Sequence, residues 1–131
     1  MSERAVAISL KIPDNAAYTA LTTLQRLGID VARVERSEIL VLSFGGDDET
    51  LAKSIEADEA TFNPNKHRLT ILDTPAPRQG EVWIAETGRL QRYVGWRLSD
   101  AAGHPAGIAT LRTACERLLC NPAIEKATYP S

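Results

Sequence analysis

The chain has 131 residues, 44% of them hydrophobic and 24% charged, with a formal net charge of -2. That length builds one domain whose core needs no metal or disulfide support, and the slight acid excess excludes the basic surface of a nucleic-acid binder. No apolar run approaches the roughly 20 residues of a membrane helix. The start, MSERAVAISL, lacks the order of a secretory signal. The two cysteines, Cys115 and Cys120, stand five apart, a spacing that points them to different sides of a helix. A reduced cytoplasm is the expected location.

In chain order, residues 5–12 alternate and read as a strand with Val6, Ile8 and Leu10 on one face. Asp14 is placed to cap a helix that Gly28 closes in a left-handed conformation, with Ala17, Leu21, Leu24 and Leu27 as its apolar stripe. Residues 29–34 and 39–44 read as two strands around a polar turn at 35–38. Gly45 and Gly46 break the second strand. A helix over about 49–61 follows, with Leu51, Ile55 and Phe62 inward, until Asn63-Pro64-Asn65 stops it before a short strand at 68–72. The order to residue 73 is βαββαβ, an α+β ferredoxin-like arrangement.

The remainder is extra. Residues 74–80, rich in proline, form a stiff connector. Residues 81–86 and 92–98 read as a hairpin around Thr87-Gly88, with Val82, Ile84, Val94 and Trp96 inward. After a loop at 100–107, Ile108, Leu111, Cys115 and Leu118 stripe a last helix, Asn121-Pro122 stops it, and 123–129 end the chain as a strand. The organisation expected is thus a βαββαβ unit at 1–73, a connector at 74–80, and a ββαβ half-unit at 81–131. The strand at 39–44 is apolar on both faces, so the open face of the sheet is expected to be buried against a second sheet, in an oligomer or a fused pseudo-dimer.

No catalytic, cofactor-binding or metal-ligating constellation emerges. His67, between Lys66 and Arg68, reads as a solvated basic edge, and His104 lies in a loop without a placed nucleophile. Cys115 reads as a small core residue, Cys120 as partly exposed with no cation beside it. Asp47-Asp48-Glu49 reads as helix capping, and Gly45-Gly46 lacks the lysine and hydroxyl of a phosphate loop. Trp83 and Trp96 pair across the hairpin, as core or as interface anchor.

The two ends of the chain carry a more specific signal. The opening SLKIPDNAAYTALTTLQRLGIDVARVERSEILVLSF and the ending ACERLLCNPAIEKATY resemble the ends of PurS, the small subunit of phosphoribosylformylglycinamidine synthase. Leu10-Lys11, Ala20-Leu21, Leu27-Gly28 and residues 31–34 follow the family pattern, and residues 115–125, CERLLCNPAIE, follow it most specifically. The family's Leu-Asp-Pro-Gln-Gly segment is replaced here by residues 12–15, and its Gly-Lys turn by Arg36-Ser37. Two arrangements fit the extra length: an insertion into one such domain, or a fused pair whose second member is trimmed. The complete first unit favours the pair.

The resemblance implies a non-catalytic, oligomeric subunit that bridges the glutaminase and synthetase subunits of this amidotransferase in purine biosynthesis. It implies no cofactor, and a partner surface drawn from Lys11, Arg33, Arg36, Trp83, Trp96, Asn121 and Pro122. Two other readings stand beside it. One is a small-molecule-binding regulatory module of the ACT type. The other is a small ferredoxin-like enzyme using His67 or His104 as a base with Asp73 or Glu86.

Overall fold

A computed structural model describes residues 2–86, 88 and 91–131. Among these residues three helices lie on one face of a six-stranded antiparallel sheet, an α+β architecture. The elements are β1 (Ser2–Leu10), α1 (Asn15–Arg26), β2 (Arg33–Phe44), α2 (Asp48–Glu56), β3 (His67–Ile71), β4 (Glu81–Glu86), β5 (Arg92–Ser99), α3 (Ile108–Ala114) and β6 (Glu125–Thr128). The strands run in the order β3-β1-β2-β5-β4-β6. Among the described residues no helix is long and apolar enough to cross a membrane.

The expected polar turn at 35–38 is the middle of one continuous strand. Residues 38–44 of β2 pair with β1, and residues 33–40 pair with β5. The polar run reads as a turn because Glu35 and Glu38 are exposed, and Arg36 and Ser37 only partly buried, at the centre of the sheet. Through Ile71 the chain is therefore βαβαβ. The hairpin of β4 and β5 forms as expected, and its Thr87-Gly88 turn falls partly outside the described residues.

Helix α1 starts where Asp14 accepts the amide N–H groups of Ala16 and Ala17, at 3.0 and 3.2 Å, and Gly28 follows its end with φ of 83°. It buries Ala17, Ala20 and Leu24, and with α3 it covers Val34, Val82, Ile84 and Leu98. Helix α2 buries Leu51 and Ile55 on Val6 and Ile8, and Phe62 closes that second core. After α3 the chain makes one π turn, Cys115–Leu119, in which the Cys120 amide donates to the Cys115 carbonyl. The extra residue carries the buried stripe of Leu111, Ala114 and Cys115 on to Leu119 and leaves Leu118 41% exposed; Ile108, also expected inside, is 38% exposed at the start of α3.

The sheet's other face is buried without a second sheet. Ala5, Ala7, Ile39, Val41 and Trp83 form a cluster there with Leu72, and Ile39 has no exposed surface. Residues 72–80 must pass from β3 at one edge to β4 near the other. Leu72 packs into this cluster at one end, and at the other Arg78 clamps Glu81, which projects from the same face of β4 as Trp83. The connector is a strap across that face. Trp83 and Trp96 do not pair, because the β4–β5 register sets Val82 opposite Trp96 and so places the indoles on opposite faces. Trp83 stacks on Tyr93 instead, with ring centroids 5.1 Å apart.

Candidate functional site

Two turns of different sequence are built alike. After Asn63, the amides of Lys66 and His67 donate to its carbonyl; after Asn121, those of Ile124 and Glu125 do the same. The Asn63 side chain accepts from Asn65 N at 2.9 Å, and the Asn121 side chain from Ala123 N at 3.1 Å. His67 Nδ1 accepts the Asn63 N–H at 3.0 Å, and Glu125 Oε1 accepts the Asn121 N–H at 2.8 Å. Each turn thus caps itself through the residue that opens the next strand.

Following the ladders inward from these turns relates the two halves of the sheet. His67 pairs with Leu10 and Glu125 with Glu86, so β1 corresponds to β4, Val6 to Val82 and Ile8 to Ile84. Val6 pairs with Leu40 and Val82 with Trp96, so β2 corresponds to β5, Arg36 to Arg92 and Leu42 to Leu98. Glu38 and Val94 correspond, and they face each other in the β2–β5 ladder. A near-two-fold axis therefore passes through the middle of the sheet at that pair.

A cleft of about 310 Å³ lies on this axis, on the helix-bearing face. Its walls are residues 8–10 and 84–86, residues 36–38 and 92–94, and His67 with Glu125, each group matched by its counterpart. Among the described residues Asp14 is the one lining residue without one. The floor is aliphatic, from Ile8, Ile84 and the exposed Val94, and the ends are charged. Arg36 donates from Nε and Nη2 to Asp14, at 3.1 and 3.3 Å, while Arg92 donates to Glu38 at 2.8 Å. Burial pushes the Asp14 carboxyl up, but the Arg36 guanidinium and the Ala17 and Ala16 amides outweigh it and hold the group below its ordinary range. Glu86 and Glu125 face each other across β4 and β6, so carboxylates outnumber guanidinium groups in the cleft. Such a site can seat a small zwitterion or ammonium group over an aliphatic floor.

Of the residues expected to form a partner surface, Arg36 lines this cleft, and Trp96 is its neighbour across the β2–β5 ladder. Lys11 is exposed and donates to the Pro64 carbonyl, so it belongs to the first Asn-Pro turn, while Asn121 and Pro122 form the second. Arg33 is exposed at the start of β2. Trp83 is 2% exposed and is core. His104 sits on a loop with its Nδ1 3.3 Å from Asp100, and Asp47 caps α2 through the Thr50 amide. Burial raises the pKa of both thiols, Cys115 and Cys120, which keeps them protonated near neutrality.

Arg92, Glu38 and Glu125 were not singled out from the sequence, and Glu86 entered only as a candidate partner of a histidine base. The signal was present as a faint repeat: Val6-Ala7-Ile8 against Val82-Trp83-Ile84, and Leu42-Ser43 against Leu98-Ser99. Fold and cleft together define an α+β protein with a near-symmetric sheet and a charged groove on its axis. No family model matches the chain, and no curated protein is significantly similar to it.

Proposed function

We propose that the chain is a non-catalytic, PurS-like assembly subunit, a fused pseudo-dimer of two three-stranded halves that bridges a glutaminase and a synthetase in the amidotransferase step of purine biosynthesis. The observation that carries this reading is the duplicated Asn-Pro turn. The segment that most resembles the family, residues 115–125, ends in one copy of it, and the first half holds the other. In this reading the near-two-fold sheet does within one cytoplasmic chain what a pair of subunits would do. His67 spends its Nδ1 on a turn amide, a structural use that speaks against a general base at that atom.

Reconstitution tests it. The chain is expected to co-purify with a glutaminase and a synthetase from the same cell and to restore glutamine-dependent turnover, while ammonia-dependent turnover of the synthetase is indifferent to it. Failure to bind either partner sinks the proposal. The cleft favours a second reading, an ACT-type module, since guanidinium and carboxylate groups flank an aliphatic floor. A calorimetric titration with the common amino acids separates the two: saturable heat that Arg92→Ala abolishes supports the module.

A further inference from the structure

The correspondence between the halves leaves one element unmatched. Between β1 and β2 the chain spends residues 11–32, which include α1; between β4 and β5 it spends only 87–91. Helix α1 lies over Trp96 and Leu98, and Leu98 is 1% exposed beneath it. The counterparts of these two residues are Leu40 and Leu42, which stay half-buried beside α2. Phe44 continues that strip. The charges repeat the pattern. Arg36 is held by Asp14, the acidic cap of α1, whereas its counterpart Arg92 reaches Glu38 on the exposed surface. Asp14 is also the one cleft residue without a counterpart among the described residues. Apolar strip, guanidinium and open end of the cleft all mark the place of a second, absent α1.

We propose that this place is a docking site for an amphipathic helix of a partner protein, one that opens on an acidic cap. It deepens the bridging role and rests on that reading for the partner's identity, not for the site. The strip of Leu40, Leu42 and Phe44 takes small and aliphatic residues at the spacing of Ala17, Ala20 and Leu24 in α1. Arg92 leaves Glu38 for the incoming carboxylate, exchanging one exposed ion pair for another beside a helix N-terminus.

A synthetic peptide with the sequence of residues 13–28 is the probe, since the near-symmetry makes α1 the template for the missing helix. Added to the full chain, it is expected to shift the NMR signals of Leu40, Leu42, Phe44 and Leu51. Arg92→Ala should weaken binding about fivefold. A peptide carrying Asn for its Asp keeps the cap but not the charge, and its affinity should be indifferent to Arg92→Ala. Shifts centred on α3 and Trp96, meaning exchange with the chain's own α1, would overturn the proposal. So would no shifts at millimolar peptide, equal sensitivity of both peptides to Arg92→Ala, or a self-associated chain that excludes the peptide. Binding of the peptide without co-purification of either enzyme subunit keeps the site and removes the bridging role; the converse removes the site alone.

Discussion

Among the described residues the buried charge is a single side chain, Glu81, whose surroundings decide its worth. It has no exposed surface, and Arg78 answers it with Nε to Oε1 at 3.1 Å, Nη2 to Oε2 at 2.7 Å and its own amide to Oε1 at 3.0 Å. Burial pushes the carboxyl up, yet the Arg78 contacts outweigh it and leave the group below its ordinary value of 4.5. The Trp83 indole N–H is buried without a partner in hydrogen-bonding geometry, but it lies near enough to add a small pull the same way. A carboxyl depressed in the folded state stabilises the fold above the unfolded value, and that contribution disappears as pH falls through the folded one. Urea midpoints should therefore drop as pH falls below 4.5. Arg78→Ala should cost about 3 kcal/mol at neutral pH, because it strands the charge, and replacing both residues by apolar ones should recover most of the loss. Glycine offers a second residue-scale contrast. Gly80 has φ of 77° and a Cβ there would sit 2.7 Å from Pro105 and 2.8 Å from the Leu98 carbonyl, whereas Gly28, with φ of 83°, meets nothing. Gly28→Ala should cost about 1 kcal/mol by conformation alone, and Gly80→Ala distinctly more, both read from chemical denaturation.

Helix α1 is held at its start by one carboxylate with two tasks. Asp14→Ala removes both the cap and the partner of Arg36, and should cost about 1–2 kcal/mol; Asp14→Asn keeps the cap and should cost about 0.5 kcal/mol. Equal costs in thermal or urea unfolding would show that the ion pair, not the cap, carries the contribution. This element was legible in the sequence, because cap, stripe and closing glycine are local signals lying within residues 14–28. Where reading failed, the cause was non-local. The run 35–38 is polar because Arg36, Ser37 and Glu38 line a cleft and Glu35 is exposed, and polarity alone cannot tell a turn from a strand that faces one. Cys115–Leu119 holds one residue too many for an α turn, so a stripe drawn at regular spacing picked Leu118 where Leu119 is buried. Trp83 and Trp96 were assigned one face because register, not composition, decides it. The cleft was the least legible feature, since Arg36 and Arg92 are brought to one groove by the β2–β5 ladder rather than by neighbourhood in sequence.

At the scale of the molecule, the inner β2–β5 ladder joins two halves that correspond, and this has a consequence for either half alone. A fragment of residues 1–73 loses β5, which pairs with Arg33–Leu40, and so presents an unpaired inner strand edge. A second copy of β2 offers the same backbone that β5 does, antiparallel about the same axis. On that axis Glu38 meets Val94 in the whole chain, but in a pair of fragments it would meet its own copy. Two carboxylates directly opposite on one face repel, so the wild-type fragment should associate weakly and more strongly as acid protonates them. Glu38→Val restores at the axis the residue found at the corresponding position, and should turn the fragment into a stable dimer in sedimentation equilibrium. Arg92, its usual partner, is absent from the fragment, so the substitution breaks no ion pair there. A folded fragment that stays monomeric with Val at the axis would mean that β2 and β5 are not interchangeable, and that the near-symmetry stops at the backbone.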